Sequence, residues 1–182
     1  MQQHFRFVKL DHTTPLPLIN CYETPETLGR DRLAAAVGAG TLHPQQNVLV
    51  IDCGTCIKYD MVTSAGEYLG GAISPGLEMR FNALHTFTDQ LPLVTNPGAQ
   101  PSLIGATTHD SITSGVINGT QAEVRATIDQ YNSAYNDLTV LFTGGDATAV
   151  MPAELSGKKR IFADQYLVLK GLNAILQHNE NQ

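Results

Sequence analysis

Two largely apolar runs, the second interrupted only by a threonine, set the strongest limit on what this chain can become. VLVI at 48–51, inside NVLVIDC, and LTVLF at 138–142, inside LTVLFTGGDA, have no polar residue at alternate positions to mark a wet face. Such runs suit strands buried on both faces in the middle of a sheet, which then needs helices above and below. The flanking segments supply them. ETPETLGRDRLAAAVGAG reads as a helix, with Thr24 as cap, Pro25 at the first helical position and a glycine stop near Gly38 or Gly40. PGLEMRFNALHTFTDQLP carries Leu77, Phe81 and Leu84 at helical spacing, just after Pro75. A longer helix is expected over 108–131, with Ile112, Val116, Val124, Ile128 and Tyr131 as its apolar stripe. Gly115 and Gly119 inside it disfavour the helix by about 1 kcal/mol each relative to alanine, which predicts a neighbour packed closely against them.

Between these helices CIKYDMV and YLGGAIS, joined by SAGE, read as a hairpin. After the second buried run come a short helix at ATAVM, a strand at RIFA and a final helix, DQYLVLKGLNAILQ, capped by Asp164. Ahead of everything, HFRFVKL at 4–10 alternates loosely as a strand and DHTTPLPLIN is an extended connector set by its prolines. Strands alternating with helices, without a fixed repeat, predict an α/β domain with a mixed central sheet flanked by helices.

The 182 residues, 42% of them hydrophobic, are enough for a sizeable core. Eleven Lys and Arg against 17 Asp and Glu give a net charge of -6 and no basic run, which argues against nucleic acid as a partner. No apolar run approaches the ~20 residues of a membrane span, and MQQHFRFVKLDHTT lacks the apolar centre of a secretory signal, so the expected compartment is the cytoplasm. Three cysteines, Cys21, Cys53 and Cys56, make no disulfide framework, consistent with reducing surroundings, and NGT at 118–120 then counts as a chance match to a glycosylation acceptor.

The chemistry concentrates in VIDCGTCIKYD. Cys53-Gly-Thr-Cys56 has the spacing of a redox or metal pair, but a thioredoxin-type pair opens a helix, and here a strand follows. A zinc site needs about four ligands, whereas His43, His85 and His109 are scattered. Asp52-x-Gly54-Thr55 makes different sense: glycine admits an anion close to the backbone, turn amides can face it, and the Thr hydroxyl adds a donor. Alone, the pattern also fits an ordinary turn.

With the later strand ending Thr143-Gly144-Gly145, the order strand, Asp-x-Gly-Thr, hairpin resembles the actin, Hsp70 and sugar-kinase superfamily of ribonuclease H-like folds. YETPETLGRDRLAAAVGA, VIDCGT, GEYLGGAISPGLEMRFNALHTFTDQLP, IGATTHDSITSGV, TGGDA and FADQYLVLKGLNAILQHN, in that order, resemble type III pantothenate kinase over nearly the whole chain.

The resemblance implies transfer of the γ-phosphoryl group of ATP to the primary hydroxyl of pantothenate, the first step towards coenzyme A, with Mg2+ and a monovalent cation, K+ or NH4+. It assigns Asp31, within Gly29-Arg30-Asp31-Arg32, as the proton acceptor; a carboxylate can take the alcohol proton and aim the oxygen. Gly29, Arg30 and Arg32 would flank the substrate, with the Arg forks suited to carboxylate or phosphate. Tyr22 falls on a pantothenate contact. Thr108 falls on another, although the family's Gly-x-Asn-Thr reads Gly-Ala-Thr-Thr here, and helix capping would explain it as well. Asp52 falls on the monovalent-cation ligand, Gly54 and Thr55 on ATP contacts, and Gly144 and Gly145 beside the adenosine. The family also implies a homodimer. Its opening Asp-x-Gly-Asn-Thr phosphate loop occurs nowhere in this chain. The expected organisation is therefore a remnant of a first half-domain and connector at 1–20, then the second half of a duplicated fold at 21–182. The alternative function is a ligand-binding fragment or regulatory homologue that holds pantothenate or nucleotide without transferring phosphate.

Overall fold

A computed structural model describes residues 7–95, 97–98 and 100–180. Among these residues six strands form one mixed sheet, in the order β1 (Ile19–Asn20), β4 (Glu67–Pro75), β3 (Cys56–Val62), β2 (Val48–Cys53), β5 (Thr139–Thr143) and β6 (Ile161–Ala163). At its centre lies β2 (Val48–Cys53), antiparallel to β3 (Cys56–Val62) and parallel to β5 (Thr139–Thr143). Val48, Leu49, Val50 and Ile51 are wholly buried, as the apolar run requires; each such side chain contributes about 1.5–3 kcal/mol by leaving water. The hairpin continues into β4 (Glu67–Pro75), and β6 (Ile161–Ala163) closes the far edge parallel to β5.

Strand alternation divides the core. Leu49, Ile51, Cys53, Ile57, Tyr59, Met61, Val140 and Phe142 face one layer, built from α2 (Leu77–Thr86), α3 (Thr108–Ala134) and the short α4 (Ala147–Val150). Val48, Val50 and Leu141 face the other, where α1 (Arg30–Leu42) packs with α5 (Leu167–Glu180). Helix α1 is buried nearly all round, from Arg32 to Ala39, because small side chains let α5 lie against it while the sheet covers its other side.

Four expectations change. Helix α1 begins at Arg30, not at Pro25. Residues 24–27 instead close a single turn, with the Thr27 amide donating to the Thr24 carbonyl (3.1 Å) and the two hydroxyls bonded at 2.9 Å. Leu28 is then drawn into the cluster with Leu33 and Tyr68, and the extended ψ of Gly29 separates that turn from the helix. Within the connector, Ile19–Asn20 forms β1, a parallel edge on β4, once the prolines are past and amides are free to pair. Part of the strand expected at 4–10 lies outside the described residues, and residues 7–10 form no strand. Finally, a Cβ added to Gly115 or Gly119 would meet nothing within 4 Å, so no neighbour among the described residues explains either glycine.

Candidate active site

The alternation that buries the core also sends three polar side chains the other way. On β2 and β3, Asp52, Lys58 and Asp60 share the face towards α1. Asp52 and Lys58 are direct cross-strand partners, so the register of the hairpin places the ammonium beside the carboxylate. Lys58 Nζ lies 2.8 Å from Asp52 Oδ2 and 2.7 Å from Asp31 Oδ2. One ammonium thus ties the first turn of α1 to the end of the central strand.

Asp31 is the second residue of α1, where the positive end of the helix favours an anion. A Cβ on Gly29 would fall 2.6 Å from Asp31 Oδ1, so a larger residue there would push the carboxylate out of its present place. Burial raises the Asp31 pKa, but the hydrogen bond and charge of Lys58, with backbone amides at Arg32 and Asp31, outweigh it and hold the carboxyl below its usual value. The converse holds for Lys58: burial opposes its charge, and Asp31 and Asp52 together raise its pKa above the ordinary lysine value. The side chain of Asp31 is about half exposed, and that of Lys58 is mostly covered.

Beyond Asp52 the chain turns through Gly54 and Thr55, and Asp52 is also the register partner of Thr143 on β5. The turn after β5 is locked to the turn after β2. The amide of Asp146 donates to the Cys53 carbonyl at 3.0 Å, and a Cβ on Gly144 would strike that same carbonyl. Gly144 has φ +90°, so both space and backbone conformation require glycine there. Gly54, Thr55, Gly144, Gly145 and Asp52 therefore meet at the carboxyl ends of two parallel strands, where open α/β sheets hold ligands. A cleft of about 660 Å³, lined by Thr143, Gly144, Gly145, Thr148, Asp164 and Tyr166, opens beside them. A second cleft, of about 680 Å³ with His43, Asn47, Asp137 and Arg160 on its walls, lies at the opposite end of the strands and shares no residue with this site.

Arg32 points into the core. Its Nε and one terminal nitrogen donate to Asp60 Oδ1 at 3.0 and 2.7 Å, and the Tyr68 hydroxyl donates to the same oxygen at 2.7 Å. Arg32 and Asp60 are 5% and 1% exposed, and Asp60 keeps the guanidinium charged although burial opposes it. Tyr22 completes the group, its ring 5.5 Å from the guanidinium carbon and stacked at 6.2 Å on Tyr68. Gly70, at φ +88°, makes room for that ring: a Cβ there would lie 2.7 Å from Tyr22 Cδ2. Arg30 is exposed beside Asp31, on the wall of a smaller cleft between residues 7–10 and α5.

Thr108 is not brought to this group. It opens α3, in the layer across the sheet from α1, and Thr107 performs the capping by accepting from the Asp110 amide at 3.1 Å. Cys53 and Cys56 are unpaired; burial first, then Asp52 and Asp146, pushes the Cys53 thiol up to about 12, far from a reactive thiolate. The residue that sequence reasoning left without a role is Lys58. Its signal was present: a tight turn at Gly54 and Thr55 sets Asp52 opposite Lys58, and period-2 alternation puts both on one face.

Comparison with known proteins gives the family. The family profile described as type III pantothenate kinase matches residues 2–130. A protein of that description from Christiangramia forsetii is 49% identical over all 182 residues, which span 73% of its length. Another from Bacteroides fragilis is 50% identical over 173 residues, 95% of this chain and 70% of its own. Among solved structures, a Baf family protein from Campylobacter jejuni superposes with a TM-score of 0.62 at 23% identity, covering 91% of this chain and 70% of that one, which supports the fold. The family profile, which covers more than half of the chain, and these close relatives show that the chain belongs to the type III pantothenate kinase family.

Proposed function

We propose that this chain phosphorylates pantothenate with ATP to give 4'-phosphopantothenate, the first step of coenzyme A biosynthesis. Family membership supplies the reaction, and one observation carries it to these residues: Asp31 and Asp52, 21 positions apart, are held on a single ammonium. A carboxylate that takes a hydroxyl proton then stands next to the turn that would cradle the phosphates. In this reading Asp31 accepts the proton of the substrate's primary hydroxyl. Gly54 and Thr55 present backbone and hydroxyl donors to the phosphates, and Gly144 and Gly145 form the floor under the adenosine. Tyr22 and Arg30 border the pantothenate, Gly29 leaves room for Asp31, and Arg32 acts through Tyr22, which it holds.

Mg2+ would arrive with the nucleotide. Such ions are bound through phosphates and one or two carboxylates, and among the described residues no group of three or more His, Cys, Asp or Glu forms a ready-made cage. The family's monovalent cation fits less well. Its expected ligand, Asp52, already meets the Lys58 ammonium at 2.8 Å, which occupies the place beside that carboxylate that a free ion would take and repels a second cation there. A homodimer is supported by the exposed Gly115 and Gly119 on α3, which would let a second copy approach closely and could also bring in Thr108. Among the described residues no helix is long and apolar enough to cross a membrane, in keeping with a cytoplasmic enzyme. Residues 21–182 would then be the second unit of the duplicated fold.

The test is direct. The chain is incubated with ATP, Mg2+ and pantothenate, and phosphopantothenate is followed by mass spectrometry. Product that depends on all three supports the reading; calorimetric binding of either ligand without turnover would favour the non-catalytic alternative.

A further inference from the structure

The misfit at Asp52 has a positive content. Lys58 is fixed by β-sheet register rather than by a flexible loop, and its side chain is only 18% exposed. Its ammonium has three donors; two are engaged by Asp31 Oδ2 and Asp52 Oδ2 at 2.7 and 2.8 Å, leaving a third for an oxygen of an incoming ligand. A free monovalent ion bound to Asp52 would neutralise that carboxylate and present positive charge to the phosphates. The lysine does both without depending on the salt in solution.

We propose that Lys58 is a built-in cation: its ammonium takes the place of a free monovalent ion at Asp52 and positions Asp31, so that neither folding nor phosphoryl transfer by this chain needs K+ or NH4+. The activity half of this proposal rests on the kinase reading, and the ion-binding half does not. Lys58 is a positioning residue here, acting through the two carboxylates. Loss of its charge leaves Asp31 and Asp52 without their shared partner and opens the space for an ion.

The experiment compares the wild-type chain with Lys58→Ala, Lys58→Met and Lys58→Arg in tetramethylammonium, K+ and NH4+ chlorides at equal ionic strength. Both phosphopantothenate formation and the thermal midpoint are read. Wild type is expected to work within about twofold in all three salts, as an enzyme without a free-ion requirement must. Lys58→Ala should lose about 10²-fold in tetramethylammonium, the scale of removing one preorganised charge, and regain at least tenfold in K+ or NH4+. Its midpoint should rise with K+ concentration, because an ion that binds the folded state stabilises it by mass action, while the wild-type midpoint stays level. Lys58→Met, which keeps the aliphatic stem, should show the same loss and rescue and stands in for Lys58→Ala where truncation prevents folding; Lys58→Arg should remain indifferent to the salt. A saturable gain by wild type in K+ over tetramethylammonium, in rate or in midpoint, overturns the proposal. So does a Lys58→Ala chain as active in tetramethylammonium as wild type. Should wild type form no product in any salt, the kinase reading fails, and the midpoints alone decide the ion question.

Discussion

Two ion clusters grow from adjacent residues of the same two elements and come to opposite ends. Arg32 on α1 meets Asp60 on β3 in the core, where both are almost fully covered and Tyr68 supplies a further donor. One residue earlier on the helix and two earlier on the strand, Asp31 meets Lys58 at the rim, where Asp52 joins and the Asp31 carboxylate stays half open. The chemistry of the pairs is alike; the surroundings differ. A covered pair whose donors and acceptors are satisfied holds α1 to the sheet and aims Tyr22. An open pair keeps a carboxylate available to a substrate. Burial, not residue type, divides anchor from reagent.

The comparison breaks first at Asp31. Asp31→Asn is expected to lower kcat by about 10² to 10⁴-fold with little change in thermal midpoint, since a general base is lost and no buried partner is stranded. Turnover at the wild-type level in that variant would return Asp31 to the surface. The lowered pKa of Asp31 sharpens the point through pH. Its ionised form, and whatever stability it adds, persists above the ordinary carboxylate value of about 3.9 and disappears as pH falls through the lower folded-state value. A kcat/KM profile should therefore have no Asp31 limb at neutral pH.

Arg32 should show the reverse. Arg32→Met leaves Asp60 charged and alone in the core, a loss of about 3–5 kcal/mol that denaturant unfolding would measure, whereas Arg32→Met with Asp60→Leu should recover most of it. If the single variant unfolds like wild type, the cluster is no anchor. Gly144→Ala comes next. Its Cβ would strike the Cys53 carbonyl in a left-handed backbone, so about 1–3 kcal/mol of stability and a raised KM for ATP are expected together. At the small end, Cys56→Ser should change neither rate nor stability beyond about 0.5 kcal/mol, as for most substitutions away from a packed or ionic feature. A marked fall in activity would revive a thiol role.

Much of this architecture could be read before any coordinates. The apolar runs at 48–51 and 138–142 announce buried strands because no other element tolerates such a run at that length between turn residues, and both became central strands. The hairpin followed from its glycine turn; the last helix was legible too, but it opens at Leu167, and Asp164, expected as its cap, lies in the preceding turn with its Oδ1 accepting the Tyr166 amide at 3.0 Å. The start of α1 was misjudged because Thr24 and Pro25 are good opening residues wherever they occur; only the pull of Leu28 into the Tyr68 cluster decides that they make a separate turn. Within the site, Asp31, Asp52, Gly54 and Gly144 were legible as motif residues. Lys58 was legible only as the cross-strand neighbour of Asp52; its tie to Asp31 depends on a partner 27 positions away.

Local pattern thus settled which segments are strands and helices, and that one turn suits an anion, since these follow from periodicity and from the conformations particular residues allow. Which charges would meet was decided in three dimensions alone. Asp31 and Arg32 are neighbours in the chain, yet helical geometry turns one outward and the other inward, and strand register supplies each with a different partner at a different depth. Depth sets the dielectric around each pair, and the dielectric determines whether a carboxylate anchors a fold or serves a reaction.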